Sequence, residues 1–114
     1  MKNKIELYPT QSKMSLPIIK RLFKKMTAGI KFNGIKVEGN FISDGHHRYI
    51  ASLLSDFSLE RIPANISSSA DLIDWESVDI EEEDWDTPAK IKILNEKDAA
   101  YNEISIEKIT DLLK

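Results

Sequence analysis

The sequence predicts an α+β fold in a single domain, and three observations predict it. Apolar and polar residues alternate in short stretches, at Lys4–Tyr8 and again around Ile35 and Val37, which is the period of a half-buried strand. Elsewhere apolar residues recur at helical spacing, as in Leu16, Ile19, Phe23 and Met26. The two signals interleave along 114 residues without a repeat or a low-complexity linker, and that length fits one domain. The expected architecture is a small mixed sheet packed with helices, layer on layer.

Taken in order, Lys4–Tyr8 reads as a short strand that Pro9-Thr10-Gln11 breaks. Ser15 is placed to cap a helix with Pro17 in its first turn. The apolar stripe of that helix leaves Lys20, Arg21, Lys24 and Lys25 on the other face, and Gly29 is its expected stop. Ile35 and Val37 mark a strand, Gly39-Asn40 a tight turn, and Phe41-Ile42-Ser43 the returning strand. After Asp44-Gly45 the chain turns helical, with Ile50, Leu53, Leu54 and Phe57 as the expected buried stripe. Ile62–Ile66 reads as a strand that its Pro63 confines to an edge or a strand start. A loop is expected at Ser67-Ser68-Ser69, and a strand near 74–80. Thr87 with Pro88 opens a helix running to about Tyr101. Ser105 caps a last helix that buries Ile106, Ile109, Leu112 and Leu113.

Composition narrows the chemistry. A hydrophobic fraction of 41% and a charged fraction of 31% are those of a soluble globular domain. Cysteine is absent, which excludes disulfides, thiolate metal sites and cysteine nucleophiles. No apolar run approaches the ~18 residues of a membrane span. The first residues show no apolar signal-peptide core, so the cytoplasm is the expected compartment. The net charge of -3 conceals an asymmetry: residues 1–36 hold nine Lys or Arg and one acid, whereas residues 71–86 hold nine acids and no Lys or Arg. The basic third would help attract an anion. Alternatively, the two segments are solvated faces that pair with each other.

The segment Asp44-Gly45-His46-His47-Arg48-Tyr49 carries the chemistry. It joins a strand end to a helix start, and the first N–H groups of a helix have no internal partners and can donate to an anion. Gly45 lets phosphate approach the backbone, and Arg48 offers a two-pronged donor set for its oxygens. His46 and His47 are expected to add donors and to become cationic near neutral pH. An ion pair with Glu38 or Glu60 is the other use open to Arg48. Asp44 has three: capping the helix, holding Mg²⁺, or accepting a proton from an attacking hydroxyl. Adjacent histidines on a helix diverge by roughly 100°, which does not suit joint chelation of one metal.

The pattern Gly45-x-x-Arg48-x-x-Ala51 resembles the ParB box of the ParB/sulfiredoxin-like superfamily. The order around it agrees: a strand to Pro9-Thr10, a helix, a strand into the box, a helix, then Arg61–Ile66. The resemblance covers about residues 4–66 and implies a core of that fold over 1–66, with 67–114 as a C-terminal extension of the same domain. It also implies nucleotide phosphates bound at the box, with Gly45, His46, His47, Arg48, Thr10 and Gln11 as the binding set. ATP or ADP is the expected nucleotide, with CTP as in ParB proteins the alternative, and Mg²⁺ the expected ion. Sulfiredoxins place a cysteine just after the box glycine, where His46 stands, so their chemistry is excluded. The wording Asp-Gly-His-His-Arg is similar to the free-serine kinase branch, which implies phosphotransfer with Asp44, His46 and His47 as catalytic candidates. The upstream glutamate of that branch falls near Thr10-Gln11, and Gln11 is an amide that cannot act as a base. Other relatives are nucleases or toxin domains.

Two functions are therefore expected from the sequence. One is a phosphotransferase for a small hydroxyl acceptor, with Asp44 as metal ligand or base. The other is a non-catalytic module that holds a nucleotide or a nucleic-acid backbone, the latter on the basic face of the first helix. The acidic segment with Trp75 and Trp85 is either a protein-docking surface or a place where both rings plug the core.

Overall fold

The computed structural model of the chain describes residues 5–65 and 73–114. Five strands and four helices follow one another: β1 (Lys13–Ser15), α1 (Leu16–Thr27), β2 (Ile35–Glu38), β3 (Phe41–Asp44), α2 (His46–Ser55), β4 (Arg61–Pro63), β5 (Asp79–Glu81), α3 (Pro88–Tyr101) and α4 (Ile106–Leu112). The α+β class is that of the sequence reading. The expected loop at Ser67–Ser69 and the end of the expected strand at Ile66 lie outside the described residues.

The strands form two small sheets. One has the order β3-β2-β4, with β2 antiparallel to β3 and parallel to β4. The Gly39-Asn40 turn joins Glu38 to Phe41, which face each other in the register. Pro63 sits on the edge strand β4, where its missing N–H costs the ladder nothing. The other sheet pairs β1 with β5 in parallel, Lys13 to Asp79 through Ser15 to Glu81.

Several local expectations are corrected. The strand at Lys4–Tyr8 reduces to a bridge between Tyr8 and Phe41, supported by Tyr8 N–H to the Asn40 carbonyl at 2.7 Å and Ile42 N–H to the Tyr8 carbonyl at 2.9 Å. Ser15 precedes α1, but its hydroxyl does not cap it. It donates instead to the Glu83 carbonyl at 2.8 Å, drawing the acidic segment onto β1. Along α2 the buried face is His46, Tyr49, Ala51, Ser52 and Leu53, while Leu54 is exposed and Phe57 falls beyond the helix end. The stripe chosen from the sequence was thus rotated towards solvent by the two polar-looking positions 46 and 52. Thr87 does cap α3, accepting from Lys90 N–H at 3.2 Å, and Ser105 caps α4.

Two apolar clusters hold these elements. Leu7, Ile35, Ile42, Tyr49 and Leu53 form the first, with Trp75 packed against it. Trp75 stacks on Tyr49 at 6.1 Å and donates to the Leu7 carbonyl at 2.7 Å, so it belongs to the core and not to a docking surface. Ile30, Ala99 and Ile109 form the second, which joins α3 and α4 to the segment leaving α1. Among the described residues no helix is long and apolar enough to cross a membrane.

Candidate functional site

Gly45 is where sequence, backbone and site meet. Its φ of +102° lies in the left-handed region, which side chains resist. A Cβ there would also stand 2.5 Å from Ile35 Cγ2 and 3.0 Å from the Arg48 guanidinium. Only glycine lets β3 end against β2 and turn directly into α2. The N-cap position of α2 falls on Gly45, which has no side chain to cap with, so of the three uses open to Asp44 the cap does not arise at that position. Asp44 is exposed and pairs with Arg48 at 3.6 Å.

This turn opens into a cleft of about 820 Å³. One side is the turn itself, from Asp44 to Arg48, with Gln11 beside it. Across from it run α1, contributing Ile18, Arg21, Leu22 and Lys25, and α3, contributing Leu94, Lys97, Asp98, Ala100 and Tyr101. Phe32, Asn33 and Asp86 complete the wall. The volume lies within the range of small-molecule sites.

The two histidines differ from the cationic donors expected of them. His46 is 5% exposed, and its Nε2 accepts from Thr10 N–H at 2.9 Å. His47 Nε2 accepts from Ser15 N–H at 2.9 Å. A ring nitrogen that accepts from an amide carries no proton, so the proton of each neutral ring sits on Nδ1. Burial pushes the His46 pKa down to about 4, His47 adding to the effect and Asp44 opposing it. Burial lowers His47 as well, against the pull of Asp86. Both rings are neutral at pH 7 and fasten residues 10–15 to the start of α2. The expected divergence of the pair is what lets one ring reach each end of that segment. Trp85, half-exposed, lies edge-on to His47 with ring centres 5.2 Å apart.

Thr10 stands behind this clamp. Its hydroxyl donates to the Ile42 carbonyl at 2.6 Å, and it does not line the cleft. Gln11 does line it, with its amide donating to the Lys13 carbonyl at 2.7 Å. Arg48 donates to the carbonyls of Asn33 at 2.9 Å and Gly34 at 3.3 Å. Its guanidinium therefore braces the entry to β2 from within the cleft, and the pairing weighed with Glu38 or Glu60 is made with Asp44 instead.

The basic face of α1 divides: Lys20 and Lys24 are exposed, whereas Arg21 and Lys25 are taken up in ion pairs. Arg21 forms a two-pronged pair with Asp84, at 2.6 and 2.9 Å, and reaches Asp86 at 3.1 Å. The hydrogen bond to Asp84 raises the Arg21 pKa and lowers that of Asp84. Lys25 is 4% exposed and pairs with Asp98 of α3 at 2.6 Å. The basic and acidic segments thus meet in the fold, as the pairing alternative held. Among the described residues no group of three or more His, Asp or Glu side chains is arranged to hold a metal ion.

Sequence reasoning found the turn and missed the opposite wall. Arg21 and Lys25 were read as surface, and Lys97, Asp98 and Tyr101 as an ordinary helix. A signal did exist in α3, where Ile91, Ile93, Leu94, Ala99, Ala100 and Tyr101 do not fall on one helical face. A helix without a single apolar stripe departs from the pattern of a core-packed helix. Compared with known proteins, the chain matches no protein-family model, no curated protein and no solved structure.

Proposed function

We propose that the cleft binds a nucleotide by its phosphates and that the domain transfers a phosphoryl group to a small hydroxyl acceptor. One observation carries the reading: the N-terminus of α2 opens, behind Gly45, into a cleft that Arg48 and Lys97 also line. Backbone N–H groups and the positive end of the helix favour an anion there. Arg48 adds a charge-assisted donor beside them. The ParB-box resemblance supports the same placement.

Asp44 is the side chain we assign to the chemistry. It is exposed beside the α2 N-terminus, and Arg48 contacts it from one flank. Mg²⁺ fits this carboxylate, because that ion is held by one or two carboxylates with the phosphates supplying further ligands. When bound, the ion neutralises charge on the phosphates. Asp44 orients the acceptor hydroxyl and takes its proton as the hydroxyl oxygen bonds to phosphorus and the nucleoside diphosphate leaves. Gln11 cannot share that proton, since an amide is not a base at neutral pH. His46 and His47 hold the frame and carry no charge.

Asp44→Asn should abolish transfer while leaving nucleotide affinity, measured without Mg²⁺, within about twofold of the parent. Arg48→Ala should weaken nucleotide binding by roughly 1.5–3 kcal/mol, the worth of a charge-assisted bond. Titration calorimetry and an assay of nucleoside diphosphate formed in the presence of hydroxyl acceptors, on the three proteins, test both. Full activity in Asp44→Asn would remove the proton-transfer role, and unchanged affinity in Arg48→Ala would remove the phosphate site from the turn.

A further inference from the structure

We infer that the wall facing the turn is a base subsite, so that the ligand is a nucleotide with an aromatic base and not an inorganic polyphosphate or a sugar phosphate. The inference rests on the phosphate reading above. The hydrogen bonds of the cleft fix the order of its parts. Arg48 donates to the Asn33 carbonyl at 2.9 Å, which puts Phe32 one residue from the phosphate end. Lys31 N–H donates to Asn102 Oδ1 at 2.7 Å, and Asn102 Nδ2 donates back to the Lys31 carbonyl at 3.0 Å. That clasp ties the segment carrying Phe32 to the end of α3 carrying Tyr101, and both rings line the cleft.

The chemistry of the two ends differs. The turn offers N–H groups, Arg48 and Asp44. The clasp end offers Phe32, Tyr101 and, one helical turn or more back along α3, Leu94. Phe32 is held by Phe57, edge-on at 6.5 Å, and by the Ile30 cluster, so its ring is fixed before any ligand arrives. Tyr101 lines the cleft and is 54% exposed, so its ring is open to a base stacked on it. Of the charges that line the cleft, Lys25 and Asp98 satisfy each other at 2.6 Å and ask little of a ligand, while Lys97 lies one helical turn before Tyr101. A cleft of about 820 Å³ is also more than a phosphate chain fills.

The test is calorimetric titration of the full chain with ATP, with CTP and with inorganic tripolyphosphate, on the parent, Tyr101→Ala and Tyr101→Phe. At least one nucleotide should bind roughly tenfold or more tightly than tripolyphosphate, the scale of one stacked base. Tyr101→Ala should erase that advantage and leave tripolyphosphate binding unchanged, and Tyr101→Phe should restore it. An unchanged melting temperature will show that the half-exposed ring was not needed for folding. Equal affinity for nucleotides and tripolyphosphate in the parent overturns the base subsite and leaves the phosphate site standing. An advantage that survives Tyr101→Ala also overturns it. Binding of neither ligand overturns both readings.

Discussion

His46 and His47 each give one ring nitrogen to the backbone, and that use decides how the protein should respond to acid. A histidine kept neutral by the fold contributes stability that is whole above its unfolded pKa, near 6.5. That contribution is lost as pH falls from there towards the folded value of about 4, because the unfolded chain binds the proton first. His46 should account for about 2–3 kcal/mol of stability lost over this window. His46→Gln keeps an acceptor for Thr10 N–H and removes the titration. Urea unfolding at pH 7 and pH 4.5 should therefore show a smaller acid loss in His46→Gln than in the parent, and an equal loss would place the pH sensitivity elsewhere. The residue scale also shows what the motif hides. Gly45 reads as a phosphate glycine, yet its contact with Ile35 is a packing demand of the sheet.

At the scale of elements, α1 and α3 are joined by charge, through Lys25 and Asp98. Lys25 is nearly sealed, and Asp98 keeps some solvent. Removing one member of such a pair strands the other charge, whereas replacing both with apolar residues does not. Lys25→Met and Asp98→Leu should each cost about 2–4 kcal/mol, and the double variant should recover most of that loss. Denaturant melts of the four proteins give the coupling. Most elements were legible because their signals are local. The Thr87 cap with Pro88, the Gly39-Asn40 turn and the Ile109 stripe each depend on a few neighbouring residues. What was not legible depends on distant partners. Nothing near Ser15 announces that its hydroxyl goes to Glu83 or its N–H to His47. Nor does the Lys25 neighbourhood announce Asp98, so a buried cation looked like one more surface lysine.

At the scale of the whole molecule, the charge asymmetry of the sequence folds back on itself. Asp84 and Asp86 cover Arg21, and Lys13 meets Glu81 at 3.9 Å. A phosphate backbone lying along α1 would meet Lys20 and Lys24 freely but would have to displace these acids to reach Arg21. Asp84→Asn should uncover Arg21 and raise retention on a heparin column, with elution at higher salt than the parent. Earlier elution, or none at all from the parent's position, would show that the acids do not mask α1. This masking was foreseeable as a pairing of opposite segments, but not by residue. The candidate site divides along the same line. Its turn was written in six consecutive residues, while its second wall is assembled from α1, α3 and the segment around Phe32.

The placement of the two tryptophans has an optical consequence. Trp75 is stacked under Tyr49 in the core, away from the cleft, while Trp85 lies half-exposed against His47, whose backbone turn lines it. The chain's intrinsic emission thus divides into a contribution from the core and one from a half-exposed ring against His47. A ligand bound at the turn is expected to change the second and leave the first, which emission spectra of the unlabelled protein would show.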